Sequence, residues 1–554
     1  MNGGRAIVCL IAAALLAAAL LEAGAGAAPG TAAKTATSAG PDPDPRTLTE
    51  AGRRIYREGR RVTGEVITAV VQGDVRVDGT QVTCESCHRR SGMGAGESGR
   101  LTPPVAGPLL FAPGPHRGRP AYTETSLARA IRDGVDSAGR PLDPLMPRYA
   151  VEDPDLAAIA AYLRSLGSTP SPGADSQSLR FATVIAAAAP PAERQAMMDV
   201  LTAFFTEKNA QVRREGARTQ ARRTPGEPVN PYREWSLEIW EVAGPPHRWR
   251  AQIEARYRDR PVFALLSGLV TGPWQPIHEF CESRGVPCLL PNSDLTPGPG
   301  SDFYGLYFSG GMRLEAEILA AEIAASGESG AVVQVASSTD PNAIGAAAVF
   351  EAAIGRRGGR VRTERTASGP AADAVLRTAL AGPASAAVVW LPAADVRNLS
   401  GGNGPGDPPT AGGPARPAGP PIYFSSTLLA DTGDAVPPAL RSRSHVVHLG
   451  RLPGDRDPAR ERFRAWAKSR GIAIGSERLQ AQTWFACMAM VDGAKHLGIY
   501  PYRDYLLDLL DHLPGLAAFL PGYPRGELGP GQRYLAKGGY VIDLAGGDPS
   551  WIVP

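Results

Sequence analysis

From Leu179 onward, apolar residues gather in short runs of strand length: "LRFATVIAA", "WSLEIWEVA", "VFALLSGLV", "PCLLP", "GAVVQVAS", "AAVVWLP" and "PIYFSST". Between most of them lie segments of helical period such as "PAERQAMMDVLTAFFTEKNA", "PHRWRAQIEARYRD" and "RLEAEILAAEIAAS". Continuous apolar runs suit strands buried on both faces, and their alternation with amphipathic helices predicts parallel sheets covered by helices on either side. More than 300 residues follow this pattern, too many for one sheet, so it predicts two doubly wound lobes.

The chain ahead of Leu179 reads differently. In "DLAAIAAYLRSLG" Leu156, Ile159, Ala160 and Leu163 recur at helical spacing, with Asp153 or Asp155 to cap the start and Gly167 to stop it. "VITAVVQGDVRVDGTQV" reads as a hairpin around Asp78-Gly79. "STPSPGADSQS" is a linker, "RREGARTQARRTPGEPVNPYRE" a basic, turn-rich excursion, and "SGGNGPGDPPTAGGPARPAGP" a Gly- and Pro-rich insertion expected to be disordered.

The N-terminus carries a compartment signal. After Arg5 the run "AIVCLIAAALLAAALL" leads to "EAGAGAAPG", an Ala-x-Ala arrangement suited to cleavage near Ala25 or Ala27. Residues 1–27 therefore read as an export signal that removes Cys9, and 28–45 as a flexible leader. No later run reaches the roughly 18 apolar residues of a membrane span, so the expected location is periplasmic or secreted. The 554 residues are 43% hydrophobic and 20% charged with a formal net charge of only +3, which argues against nucleic acid as a partner.

In that compartment "CESCH" carries the chemistry. A zinc site would need a second ligand pair, and no Cys pair of matching spacing lies nearby; a thioredoxin-like dithiol would need a βαβ setting. Covalent attachment of one haem c accounts for all three residues: Cys84 and Cys87 supply thioethers and His88 one axial nitrogen. A sixth ligand is then expected from a later loop, and Met146, between Pro144 and Pro147 in "PLMPRYA", is favoured over Met93 and His116. Arg89, Arg90, Arg100, Arg117, Arg119 and Arg148 cluster around these motifs, either as a rim steering an acidic partner or as solvated charge with a propionate contact or two.

With these motifs in hand, residues 46–168 resemble a class I cytochrome c. "AGRRIYREG" is similar to the family's first helix, with Gly52 and Tyr56 spaced to meet the last helix near Tyr162 and Leu163. The resemblance implies a small all-α domain and one-electron transfer. After the linker at 169–178, residues 179–554, with the insertion at about 400–420, resemble the type 1 periplasmic solute-binding proteins of the branched-chain amino-acid group, on "RFATVIAAAAP", "LLSGLVTGPWQPIHEFCESRGVPCLLPNSD" and "GPGQRYLAKGGYVIDL". That likeness implies a ligand between two lobes, held at strand-to-helix turns by Ser267 and Gly268 and by Asn292, Ser293 and Asp294. Asp294 departs from the expected neutral hydroxyl, and its charge would repel a carboxylate. Cys281 and Cys288 in "FCESRGVPC" are close enough along the chain for a disulfide in an oxidising compartment. Cys487 reads as a core thiol, and His445 and His448, three apart on a strand, do not share a metal.

The expected protein is thus a non-enzymatic, periplasmic mono-haem electron carrier whose C-terminal part senses a small ligand or docks to a dehydrogenase or oxidase system. Two further readings stand beside it: a solute-binding protein with the haem as redox reporter, and a redox enzyme using the interlobe cleft.

Overall fold

In the computed structural model the described residues are 44–554 apart from 98–99, 115–117, 223–231, 299, 301, 328–329, 401–418, 431–432, 513–518 and 530. The predicted signal, nearly all of the leader and most of the Gly- and Pro-rich insertion lie outside them. No described helix is long and apolar enough to cross a membrane. Arg46–Pro554 forms one compact unit.

Its first part packs helices α1 (Pro45–Glu58), the one-turn α2 (Cys84–His88), α3 (Glu124–Asp133) and α4 (Asp153–Ser165), with a further helical turn at Gly107–Leu110, around a core that includes Ile55, Tyr56, Leu127, Ile131, Ile159 and Leu163. The expectation of an all-α fold needs correcting. Strands β1 (Thr68–Val71), β2 (Val75–Asp78) and β3 (Arg148–Tyr149) form an antiparallel sheet in the order β2-β1-β3, and a ribbon pairs Ala95–Glu97 with Arg100–Thr102. The predicted hairpin exists, but Val71 pairs with Val75, so its turn is Gln72-Gly73-Asp74 and not Asp78-Gly79. Gln72 and Gly73 both take left-handed backbone (φ 54° and 94°), the geometry of a tight hairpin turn.

Helices α1 and α4 cross at Gly52, where an added Cβ would sit 1.9 Å from the Ala158 carbonyl oxygen. Only a residue without a side chain lets the helices meet so closely. One turn on, the rings of Tyr56 and Tyr162 pack at 5.3 Å, as the spacing of Gly52, Tyr56 and Tyr162 implied.

The second part has two sheets. Strands β4 (Ser178–Ala186), β5 (Glu234–Val242), β6 (Ala264–Leu266), β7 (Cys288–Leu289) and β8 (Gly305–Ser309) alternate with α5 (Pro191–Arg222), α6 (Trp249–Asp259) and α7 (Gln275–Arg284). After α8 (Met312–Ala325), β9 (Val332–Ser337), β10 (Val361–Thr366), β11 (Ala386–Trp390), β12 (Ile422–Ser425) and β13 (Ser444–His448) build the second sheet with α9 (Pro341–Arg356) and α10 (Pro370–Ala381). Helices α11 (Pro458–Ser469), α12 (Glu477–His496) and α13 (Arg503–Leu510) return to the first lobe, where Phe463, Phe485 and Leu506 join its core. Strand β14 (Tyr534–Ala536) closes the first sheet; β15 (Gly539–Asp543) and β16 (Ser550–Ile552) finish the second. The orders are β14-β8-β7-β6-β4-β5, entirely parallel, and β10-β9-β11-β12-β13-β15-β16, parallel except for the last two strands. The chain therefore passes between lobes near residues 310, 450 and 537, and the two predicted doubly wound lobes are present.

One helix is longer than its pattern suggested. α5 continues through Arg213–Arg222, read above as the start of the excursion, because those Arg- and Glu-rich residues include no proline and gain an exposed Arg218–Glu215 pair at 3.1 Å. The rest of that excursion lies almost wholly outside the described residues.

Gly52→Ala must push α1 from α4, and overpacking of this kind costs about 1–3 kcal/mol. Thermal unfolding followed in the haem absorbance should show a lower midpoint for this variant while α/β unfolding changes little.

Candidate functional site

Thr83 starts α2: its hydroxyl accepts the Ser86 N–H at 3.2 Å, fixing the single turn that carries "CESCH". Cys84, Cys87 and His88 then sit at i, i+3 and i+4, on one side of a helical turn. His88 Nδ1 lies 2.9 Å from the Pro103 carbonyl oxygen. A carbonyl only accepts, so Nδ1 carries the proton and Nε2 keeps its lone pair. Desolvation holds the His88 pKa below its ordinary value, partly opposed by that hydrogen bond, and so favours the neutral, ligating ring. Desolvation also pushes the Cys84 thiol up to about 12, opposed in part by Tyr149, the reverse of the low pKa that makes a redox dithiol reactive. A neutral imidazole with a directed lone pair beside two thiols at this spacing fits haem c.

Downstream, Met146 is half-buried in a turn closed by its N–H to the Asp143 carbonyl (3.0 Å), and the Arg148 guanidinium donates to the Met146 and Leu142 carbonyls. β3 follows at once, pairing Arg148 with Val70, so the Met loop is tied to the hairpin. Met93, three residues past Arg90, hangs from a turn in which its N–H donates to the Ser91 hydroxyl. His116 lies outside the described residues.

The arginines around the motifs are largely structural. Arg89 is buried, Arg119 donates to the carbonyls of Leu109, Leu110, Ala112 and Pro120, and Arg148 braces the Met loop. Arg90 lies over the Phe303 ring at 4.0 Å and pairs with Asp504 at 3.5 Å. Those four are not a steering rim; nothing is described for the side chains of Arg100 and Arg117.

Arg90 belongs to a junction between the haem-binding turn and the α/β part. Ser91 N–H donates to Asp508 Oδ2 at 2.9 Å, Arg57 reaches Asp504 at 3.7 Å, and Tyr304 donates its hydroxyl to Asp504 at 2.7 Å. Nearby, Tyr502 donates to the Gly167 carbonyl and Arg503 N–H to the Ser171 hydroxyl at 3.0 Å.

The second candidate site is a cavity of about 250 Å³ between the lobes. Of the five ligand residues expected, Asn292, Ser293 and Asp294 line it; Ser267 and Gly268 do not. Ser267 is fully buried beneath, its hydroxyl held between Asn292 Nδ2 (2.9 Å) and Thr483 Oγ1 (3.3 Å), so it supports Asn292. Asp294 pairs with Arg478 at 3.2 Å, which answers the charge that set it apart. Sequence reasoning missed Asn342, Arg478 and Gln482, which also line it. Asn342 stands in the same kind of strand-to-helix turn, "SSTDPNA" after β9, so extending that logic to the second lobe would have found it.

Cys281 and Cys288 are brought together as the chain turns back at Gly285, but as two buried free thiols in place of the disulfide expected. Burial pushes the Cys281 thiol well up. Cys487 is likewise a free thiol buried in the core. His448 binds the Arg451 carbonyl and His445 stacks on Tyr423, so the two share no site.

Residues 79–167 match the family described as Cytochrome c. This segment is a cytochrome c domain, and it carries covalent haem c. No curated protein matches the sequence. Among solved structures the chain is similar to a putative branched-chain amino acid ABC transporter from Rhodospirillum rubrum (17% identity, 65% of this chain and 99% of that one, TM-score 0.39). It is also similar to a leucine-binding protein from Thermotoga maritima (13%, 68% and 99%, 0.43) and a branched-chain amino acid ABC transporter from Thermus thermophilus with bound valine (11%, 66% and 94%, 0.44).

Asp508, beneath the cytochrome's haem-binding turn, has its pKa raised to about 7 by burial, with Asp504 and Asp511 adding and the Ser91 hydrogen bonds opposing. Its folded value lies above the unfolded one, so the stability it contributes is full below about pH 4 and lost as pH rises through about 7. Asp508→Asn keeps an acceptor for Ser91 and should shrink the stability difference between pH 5 and pH 8 by roughly 2 kcal/mol in denaturant titrations.

Proposed function

We propose that this protein is a periplasmic one-electron carrier whose α/β part binds a small solute in the interlobe cleft. The observation that carries the reading is the His88–Pro103 hydrogen bond beside Cys84 and Cys87, which directs one nitrogen lone pair where a haem iron needs it. The thiols of Cys84 and Cys87 would hold the macrocycle, His88 one axial position, and Met146, on its braced loop, the other. Haem would supply a one-electron couple there, and held by both His88 and Met146 it would offer no open place for substrate. The chain's own residues set its environment: Pro103 fixes the ring of His88, and Arg148 holds the loop of Met146. An acidic partner guided by a basic rim gains little support, since most of the candidate arginines are spent on carbonyls and on the junction. The domain limits follow the same division, 46–168 for the cytochrome and 179–554 for the solute-binding part, behind an export signal at 1–27.

The reading of the haem as a reporter of bound solute is favoured by one feature. Helix α12 begins at the cleft with Arg478 and Gln482, and the next helix, α13, holds the haem-binding turn through Asp504 and Asp508.

Met146→Ala should change the visible spectrum of the purified holoprotein and let the reduced form bind carbon monoxide, which the parent should not. An unchanged spectrum would assign the sixth position to another residue.

A further inference from the structure

The polar atoms facing the interlobe cavity are unbalanced, and the imbalance specifies the chemistry of what would bind there. Asn342, at the start of α9 and only 8% exposed, lines the cavity with an Oδ1 that has no hydrogen-bond partner. Across from it in the other lobe, Asn292 Oδ1 is also without one. The orientation of the Asn292 amide follows from its surroundings. Thr483 donates its hydroxyl to the Leu479 carbonyl (2.8 Å), so towards Asn292, 3.3 Å away, it can only accept, and the NH2 must face it. Each lobe thus presents a buried carbonyl acceptor with nothing to receive, a costly arrangement unless a ligand or water supplies a donor.

The backbone donors at the two helix heads that could receive a carboxylate are meanwhile in use. At the head of α9 the N–H groups of Asn342 and Ala343 both point to the Asp340 carboxylate, at 2.8 and 3.3 Å. At the head of α8 the Gly311 N–H goes to the Ser309 hydroxyl and the Met312 N–H to the Asp294 carbonyl. The charged lining is two carboxyl side chains, Glu193 and Asp294, against one guanidinium, Arg478, which is committed to Asp294. A carboxylate arriving here would meet lone pairs and net negative charge.

Building on the solute-binding reading above, we infer that the cleft takes a small uncharged or cationic solute rich in N–H or O–H groups, a polyol, amide or amine, and excludes carboxylates, amino acids among them. The two asparagine carbonyls take donors from opposite sides of one molecule and so tie the lobes together through it. At about 250 Å³ the cavity is at or below the lower end of ordinary ligand pockets, which restricts the solute to a few carbons.

The test is calorimetric titration of the full-length holoprotein with glycerol, erythritol, acetamide, ethanolamine and putrescine against acetate, lactate, valine and succinate. Binding of one or more of the first group and none of the second is expected. Asn342→Leu should weaken that binding at least tenfold with an unchanged haem spectrum and melting temperature, while Asn342→Asp, which keeps the acceptor, should retain it. Carboxylates binding in preference to the first group would overturn the assigned class and leave the solute-binding reading standing. Binding by neither group would remove both.

Discussion

One buried guanidinium pins the interdomain linker to the α/β part of this chain. Arg503, 6% exposed, opens α13, and its side chain donates to the carbonyls of Phe263, Val262, Pro172 and Gly285 at 2.6 to 3.1 Å and to the Tyr257 hydroxyl at 3.0 Å. Its backbone N–H donates to the Ser171 hydroxyl as well. A buried cation is tolerable when its donors are met by oriented dipoles, and the planar five-donor fork of arginine can engage several carbonyls at once where a lysine could not. Those carbonyls come from the interdomain linker, from the start of β6 and from the turn after α7. The same group therefore sets where the linker runs and where α13 begins, and α13 is the surface on which the haem-binding turn rests.

From that placement follows the character of the electron carrier. A cytochrome joined by a free linker could swing between partners. Here Ser91, three residues past His88, is hydrogen-bonded to α13, and Arg90 is stacked on Phe303 and paired with Asp504. The end of the haem-binding turn is thus fixed against α13, while Cys87 itself stays exposed. Burial of Asp508 and Asp511 under this contact, with Asp511 paired to Arg533 at 2.6 Å, makes the junction a polar one, in which Asp511 Oδ1 and Arg533 Nε and Nη1 are left without hydrogen-bond partners. Removing a single partner from such a network strands its mate, which is why the contact is more demanding than a hydrophobic seam of the same extent.

Much of this was legible beforehand where a residue's local demand coincides with its global role. "CESCH" is one helical turn and needs nothing distant to be read; Gly52 and Tyr56 announce a close helix crossing through their spacing to Tyr162. The parallel lobes were visible because strands buried on both faces are apolar along their whole length. What escaped was set by partners far along the chain. Nothing near Ser267 says that Thr483 and Asn292 will enclose it, and nothing near Asp294 says that Arg478 will neutralise it. The hairpin turn was misplaced because Asp78-Gly79 is a strong turn signal, yet pairing of Val71 with Val75 keeps Ala69 fully buried in the core and wins over local preference. β16 was also missed, for its short run acquires strand character only by pairing with β15.

The connection between cleft and haem is constrained by linkage as much as by structure. Helix α12 spans 20 residues, roughly 30 Å, from Arg478 and Gln482 at the cavity to the turn that precedes α13. Both helices are packed into the first lobe's core, so the cytochrome travels with that lobe, and relative movement of the second lobe would leave the haem-binding turn's own contacts intact. Any influence of a solute on the haem must then pass through α12 and α13 themselves, by a shift of helices that are otherwise firmly packed. Such a coupling is reciprocal: if occupancy of the cleft changes the balance between oxidised and reduced haem by some factor, oxidation changes solute affinity by the same factor. Under such a coupling the report would not run in one direction only, and the cleft would hold or release solute according to the redox state of the haem.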